Sequence, residues 1–185
     1  MQRSKSNGWL FWPILLVVVA SDIFTKWLAV EKLSDPPRMP HEVIGEYVRF
    51  TLVYNPGAAF GLHVGDHSRW VFMALTIGAL LILGRLYLST RPGDRTRVLA
   101  LALVCGGALG NLIDRIRHDL GVVDFLDLGF GDARWPTFNI ADMAVSSGAF
   151  LLAIVLWAED RAASESKVGS GLVPTELRHE SSEAT

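Results

Sequence analysis

Four apolar segments, each close to the length needed to cross a bilayer, dominate this chain of 185 residues. They run from Trp9 to Val30, Trp70 to Ser89, Val98 to Ile116 and Asn139 to Trp157, each bounded by charged or Pro/Gly-containing stretches. A helix needs about 20 such residues to span the hydrocarbon layer. Lipid offers backbone N–H and C=O groups no partner, so apolar segments of this length satisfy them internally, as helices. The expected fold class is membrane all-α, a four-transmembrane-helix bundle. The first segment resembles a cleaved leader, since Arg3 and Lys5 precede it and Val18-Val19-Ala20 is loosely like a cleavage site. Helix-compatible sequence continues from Asp22 to Val30, which favours a retained span.

Composition agrees. Half the residues are hydrophobic, with six Trp and nine Phe, and a formal charge of −2 leaves no basic excess for nucleic acid. The single Cys105 cannot form an internal disulfide and sits in an apolar segment, where packing is its expected role.

Loop charges predict the orientation. Arg3 and Lys5 precede span one, Arg91, Arg95 and Arg97 crowd the link between spans two and three, and Arg161 and Lys167 follow span four. These belong on the cytoplasmic side. Both termini are then cytoplasmic, and the connections 31–69 and 117–138 face outward. Residues 1–158 are expected to form one integral membrane domain, followed by a disordered tail, 159–185, rich in Ser, Glu, Ala and Thr. The outer connections contain EYVRFTLVYN (46–55) and GVVDFLDLGF (121–130), whose β-branched and aromatic content predicts two strands, with Asn55-Pro56-Gly57 as a turn. A small extracytoplasmic β-sheet on the bundle follows.

Ionisable groups inside a span cost at least ~2.5 kcal/mol each on insertion scales, so each needs a partner, a wet cavity or a task. Asp22 and Lys26 lie in span one, Asp114 near the end of span three and Asp142 near the start of span four, with Arg115 and Asp124 just outside. Taking Val30 as the outer end of span one, a rise of ~1.5 Å per residue puts Lys26 ~6 Å and Asp22 ~12 Å below it. All these groups fall toward the outer boundary, although they come from separate parts of the chain. Structural roles are open to several of them. Asp22 and Lys26 are spaced i, i+4 and could neutralise each other; Asn111, Asp114 and Arg115 could form a hydrogen-bonded brace; Gly106 and Gly110 make a small-xxx-small pair for close helix approach. Asp142 shares a helix face with Asn139 and Ser146 at the very start of a span. Asp124, if the strand reading holds, points with Leu126 and opposite to Val123, Phe125 and Asp127.

Other signals lead nowhere. Gly129-Phe130-Gly131-Asp132 matches a Gly-x-Gly-Asp intramembrane-protease signature but lies in a polar turn outside any span. His63 and His67 are spaced i, i+4 but lack the Glu of a zinc-protease helix. No metal or cofactor is expected.

Two carboxyls facing each other cannot readily both ionise, and an apolar surround raises their pKa further. If Asp124 and Asp142 meet, the pair holds one proton near neutral pH. Its ionised member can take a proton from water while the protonated member polarises a substrate carbonyl, with Asn55 or Asn139 as candidate donors to the oxyanion.

Asp22 with Lys26, Asn55-Pro56-Gly57-Ala58-Ala59-Phe60-Gly61, GALGNLIDR (107–115), Val122-Val123-Asp124-Phe125 and Phe138-Asn139-Ile140-Ala141-Asp142 together resemble bacterial lipoprotein signal peptidase, signal peptidase II, over residues 9–158. The resemblance implies an aspartic endopeptidase of the cytoplasmic (inner) membrane. Such an enzyme removes the signal peptide of diacylglyceryl-modified prolipoproteins just N-terminal to the lipidated cysteine, and is inhibited by the cyclic peptide globomycin. It implies Asp124 and Asp142 as the catalytic dyad. It further implies Asn55, Gly57, Gly107, Asn111, Asp114, Arg115, Asn139 and Ala141 as the supporting set, with Asp22 and Lys26 in structural or supporting positions. The alternatives from the residues alone are a small proton-coupled membrane transporter and a non-catalytic assembly factor. A proton relay would spread ionisable groups across the whole crossing, whereas spans two to four are nearly bare in their inner halves, Arg85 excepted.

Overall fold

The computed structural model describes residues 7–36, 38–57 and 65–171. Among the described residues, four helices are long and apolar enough to cross a membrane: α1 (Gly8–Leu33), α2 (Ser68–Leu88), α3 (Arg95–Arg117) and α4 (Ile140–Gly171). They alternate in direction. Phe11 near the start of α1 stacks on Tyr87 near the end of α2, with ring centroids 4.0 Å apart, and packs with Val98 and Leu101 at the start of α3. Ala29 and Leu33, at the other end of α1, pack instead with the sheet and with Ile140 at the start of α4.

α3 is the centre of the bundle, packed against α1, α2 and α4. Half of its apolar window is buried, against none of that of α2. Lipid is as apolar as Leu, so burial of oily surface does not drive helices together there; close backbone approach does. α3 therefore presents small residues to its neighbours. A Cβ on Gly106 would strike Val18 of α1, one on Gly110 would meet Asp22 of α1, and one on Gly107 would overlap the main-chain oxygen of Ala141 in α4. The Gly106/Gly110 pair thus does the packing its spacing predicts, and Gly107 performs the same service on the opposite flank. α2 turns Trp70, Leu75, Ile77, Leu81, Ile82 and Leu88 outward, an unbroken oily face suited to lipid.

The sheet has four antiparallel strands in the order β1 (His41–Ile44), β2 (Val48–Asn55), β3 (Val122–Phe130) and β4 (Ala133–Arg134). β2 and β3 are the two predicted strands, displaced by a residue or two at their starts. β1 and β4 are additions, too short to leave a periodic signature. Val123 and Phe125 of β3 face Ala29 and Leu33 of α1, whereas Val122 and Asp124 line a cavity; Leu126, expected on the face of Asp124, packs instead against the cluster of Val123 and Phe125. An irregularity between Phe50 and Val53 sets two residues of β2 against Phe125 and bends the ladder there. Gly121 leads into β3 with φ +101°, and a side chain on it would collide with the main chain of Asn55. The Gly129–Asp132 signature occupies the β3–β4 hairpin, outside the helices.

Two boundaries differ from expectation. α1 continues to Leu33 rather than Val30, so along the helix Lys26 lies ~10 Å and Asp22 ~16 Å from its end. α4 continues past Trp157 to Gly171, so residues 159–171, assigned above to a disordered tail, are helical; their Ala and Glu residues favour helix and the structure simply propagates. The remainder of that tail, residues 58–60 of the Asn55–Phe60 loop, and His63 lie outside the described residues.

Candidate active site

Asp142 sits at the third position of α4, and Asn139 is the residue capping that helix. The Asn139 side-chain oxygen Oδ1 accepts the Asp142 N–H at 2.9 Å, and the Asp142 carboxylate accepts the Asn139 N–H at 3.2 Å. This reciprocal capping box holds Asp142 in a single orientation and at the positive end of a helix dipole. Asn139 and Asp142 are therefore tied as cap and third residue rather than as parts of a polar stripe.

The same Asn139 side chain reaches the second acid. It is fully buried, and its amide donates to Asp124 Oδ1 at 2.7 Å and, at 3.2 Å, to Asn111 Oδ1 and the Val123 carbonyl. One asparagine thus touches both aspartates, which are 18 residues apart. Its amide hydrogens are already engaged and it does not line the cavity, so the oxyanion role considered for it finds no free donor. Asn55 does line the cavity; it donates to Asp124 Oδ2 at 3.1 Å and takes the Gly57 N–H at 3.0 Å, closing the predicted turn.

Asp124 is 2% exposed. Burial pushes its carboxyl up from the usual 3.8 to about 7, and the neighbouring Asp142 charge adds to the rise; hydrogen bonds from Asn55 and Asn139 and the Lys26 charge oppose it. Asp142 is only partly buried.

Behind the acids lies a second polar layer. The Lys26 ammonium contacts Asp22 Oδ2 at 2.7 Å, Asp114 Oδ2 at 2.9 Å and Asn111 Oδ1 at 2.9 Å. The Asp22–Lys26 pair forms as its spacing predicts, yet Lys26 also joins α1 to α3. Asp22 Oδ1 accepts the Ala141 N–H at 2.9 Å, a free donor of the first turn of α4. Asp114 Oδ2 accepts the Val123 N–H at 3.0 Å, fastening β3 beside Asp124. Arg115 donates to the Asn111 carbonyl at 3.2 Å and to the Gly57 carbonyl at 3.0 Å. The brace expected among Asn111, Asp114 and Arg115 is thus mostly directed outward, to other elements.

Asn55, Asn111, Arg115, Asp124 and Asp142 line one cavity of about 690 Å³. Its apolar wall was not anticipated: Val53, Tyr54, Trp135, Phe138, Met143 and Val145, with Ser146 and Ser147 on α4. The aromatic-rich stretch just before Asp142 is the signal that could have indicated it.

Fold and site together define a polytopic membrane protein with a carboxylate-lined cavity where the helix bundle meets its sheet. The family model described as signal peptidase (SPase) II matches residues 14–158, and the chain belongs to that family. It is 44% identical to a lipoprotein signal peptidase of Burkholderia mallei (strain SAVP1) over 155 residues, covering 80% of this chain and 90% of that one. A lipoprotein signal peptidase of Shewanella amazonensis is 40% identical over 147 residues, covering 78% and 84%. Among solved structures, a bacterial membrane enzyme determined by the in meso method at 2.3 Å resolution matches with a TM-score of 0.70 and 32% identity, over 80% of this chain and 87% of that one. The chain is accordingly a bacterial membrane peptidase, and the transporter reading finds no support.

Proposed function

We propose that this protein cleaves the signal peptide from diacylglyceryl-modified prolipoproteins, just N-terminal to the lipidated cysteine, as an aspartic endopeptidase using Asp124 and Asp142. The observation that carries the reading is the single buried Asn139 that hydrogen-bonds both acids at the wall of one cavity. Asp142, partly exposed, receiving two N–H donors and lying at a helix N-terminus, is the member placed to act as the base. Asp124, buried and with its carboxyl near 7, carries the proton.

The chemistry follows. Asp142 takes a proton from a water molecule as its oxygen bonds to the scissile carbonyl carbon, while Asp124 gives its proton to the carbonyl oxygen. The tetrahedral intermediate collapses as its C–N bond breaks. The leaving nitrogen takes the proton held by Asp142 and a hydroxyl proton returns to Asp124, so the pair is restored. No metal enters this cycle. Arg115 adds positive charge beside the pair, and Asn55 is the remaining candidate donor to the oxyanion.

The reading extends to topology and substrate. A transmembrane substrate helix must be opened before it is cut, and the sheet end of the bundle offers protein groups for the freed backbone. The apolar wall, with Met143 half exposed on the flank of α4, suits entry from lipid. Both termini are assigned to the cytoplasm and the sheet to the outer face of the inner membrane, because Arg91, Arg95 and Arg97 lie at the end opposite the sheet. Globomycin is expected to compete for the cavity. The test is cleavage of diacylated and unmodified prolipoprotein by purified wild-type, Asp124→Asn and Asp142→Asn protein. Each substitution should lower turnover by on the order of 10³-fold or more, and unmodified precursor should not be cut. Full activity in either variant removes that residue from the chemistry.

A further inference from the structure

Lys26 lies one residue removed from the acids, and its geometry restricts what that intervening residue can do. An ammonium group has three hydrogens and no acceptor. Lys26 Nζ lies 2.7 Å from Asp22 Oδ2, 2.9 Å from Asp114 Oδ2 and 2.9 Å from Asn111 Oδ1, to which it donates, and the side chain is 4% exposed, so it has no solvent alternative. The atom of Asn111 facing Lys26 must be its carbonyl oxygen. The Asn139 amide approaches the same oxygen at 3.2 Å and imposes the same choice. The NH2 end of Asn111 is then turned to Asp142 Oδ1, 2.8 Å away. Were the amide reversed, an oxygen would confront the Asp142 carboxylate and an NH2 group would confront the ammonium.

We propose that Lys26 is a positioning residue for the hydrolysis: together with Asn139 it fixes the orientation of the Asn111 amide and so keeps an N–H on Asp142. The idea rests on the dyad reading above. The other charged or titratable groups around Asp142 are Asp124 of β3, Arg115 of α3 and Tyr54 of β2, with Asp22 and Asp114 behind Lys26. None of them donates to Asp142 Oδ1 among the described residues.

Removing Lys26 alone would strand two buried carboxylates, so the informative variant is Lys26→Met/Asp114→Asn, which holds the formal charge of the trio at −1. Cleavage of a diacylglyceryl-modified prolipoprotein is measured against pH in detergent, with thermal unfolding alongside. Without Lys26 the Asn111 oxygen is held by Asn139 alone, at 3.2 Å, and the N–H on Asp142 is held less firmly. The expected result is a fall in kcat of about tenfold with KM little changed. In an Asn111→Ala background the same two changes should lower kcat no further, since their effect passes through Asn111. Multiplicative losses in that background, or an unchanged kcat in the double variant, overturn the proposal. If the double variant does not fold, Asn111→Asp serves: it keeps an acceptor for Lys26 but offers Asp142 no donor. The same fall in kcat with KM little changed is expected, and a wild-type kcat refutes the idea. Activity surviving in Asp142→Asn would instead refute the dyad reading beneath it.

Discussion

Replacing Asp124 by Asn should silence the protein and, above neutral pH, make it more stable. The folded carboxyl titrates at about 7, against 3.8 for a free one. Between those values the folded state binds the proton and the unfolded state does not, so unfolding releases a proton and stability falls as pH rises through that window. Above pH 7 the full effect is about 4 kcal/mol, taking 1.36 kcal/mol per pH unit. An Asn at 124 never ionises and escapes it. The amide has a drawback: Asn55 and Asn139 both present NH2 groups to Asp124, and one of them would face the new NH2, costing about 1–2 kcal/mol. The net gain at pH 8 is then about 2–3 kcal/mol, and at pH 4, where the folded carboxyl is protonated and the unfolded one is close to half protonated, it should vanish or reverse. Thermal unfolding of the purified proteins in one detergent across pH 4–9 reads this as two curves that cross. Parallel curves, or an Asn variant less stable than wild type at pH 8, would refute the burial argument for Asp124.

Three further outcomes are expected. Asn55→Ala removes a hydrogen bond that favours ionised Asp124, so Asp124 should stay protonated to higher pH and the alkaline limb of kcat should shift upward; a downward shift in the pH–rate profile would contradict this. Gly107→Ala places a methyl group against the main-chain oxygen of Ala141, which cannot yield as a side chain could, so α3 and α4 must part, at about 1–3 kcal/mol in thermal unfolding and with loss of cleavage. Cleavage should persist in excess chelator, and activity lost to chelator and restored by zinc would count against an aspartic mechanism.

The positions of the charged residues were legible because membrane insertion makes them conspicuous: Asp22, Lys26, Asp114 and Asp142 stand out against apolar runs. β2 and β3 were legible for the same kind of reason, local composition bounded by turns. β1, four exposed residues, and β4, two residues, were not, because pairing with a neighbour rather than propensity makes them strands. The Asn139–Asp142 capping box was present in the sequence but was read as a shared helix face, which misplaced Asn139 by one role: it caps α4 and bridges the acids instead of lining the cavity. The second and third partners of Lys26, the grip of Asp22 on Ala141 and the reach of Arg115 to Gly57 join residues 58 to 119 positions apart, and no local pattern encodes such contacts.

By itself the amino-acid order determined the number of crossings, their alternation and the end of the bundle where charge gathers. Each follows from the transfer of a short segment between water and lipid, which depends on that segment alone. Only the tertiary structure decided that Asp124 and Asp142 share one asparagine, that Asp124 is sealed from water while Asp142 is not, and which way the Asn111 amide faces. Those outcomes depend on how closely the glycines of α3 let α1 and α4 approach, and on where the bend in β2 leaves the end of the ladder; they are properties of several segments at once.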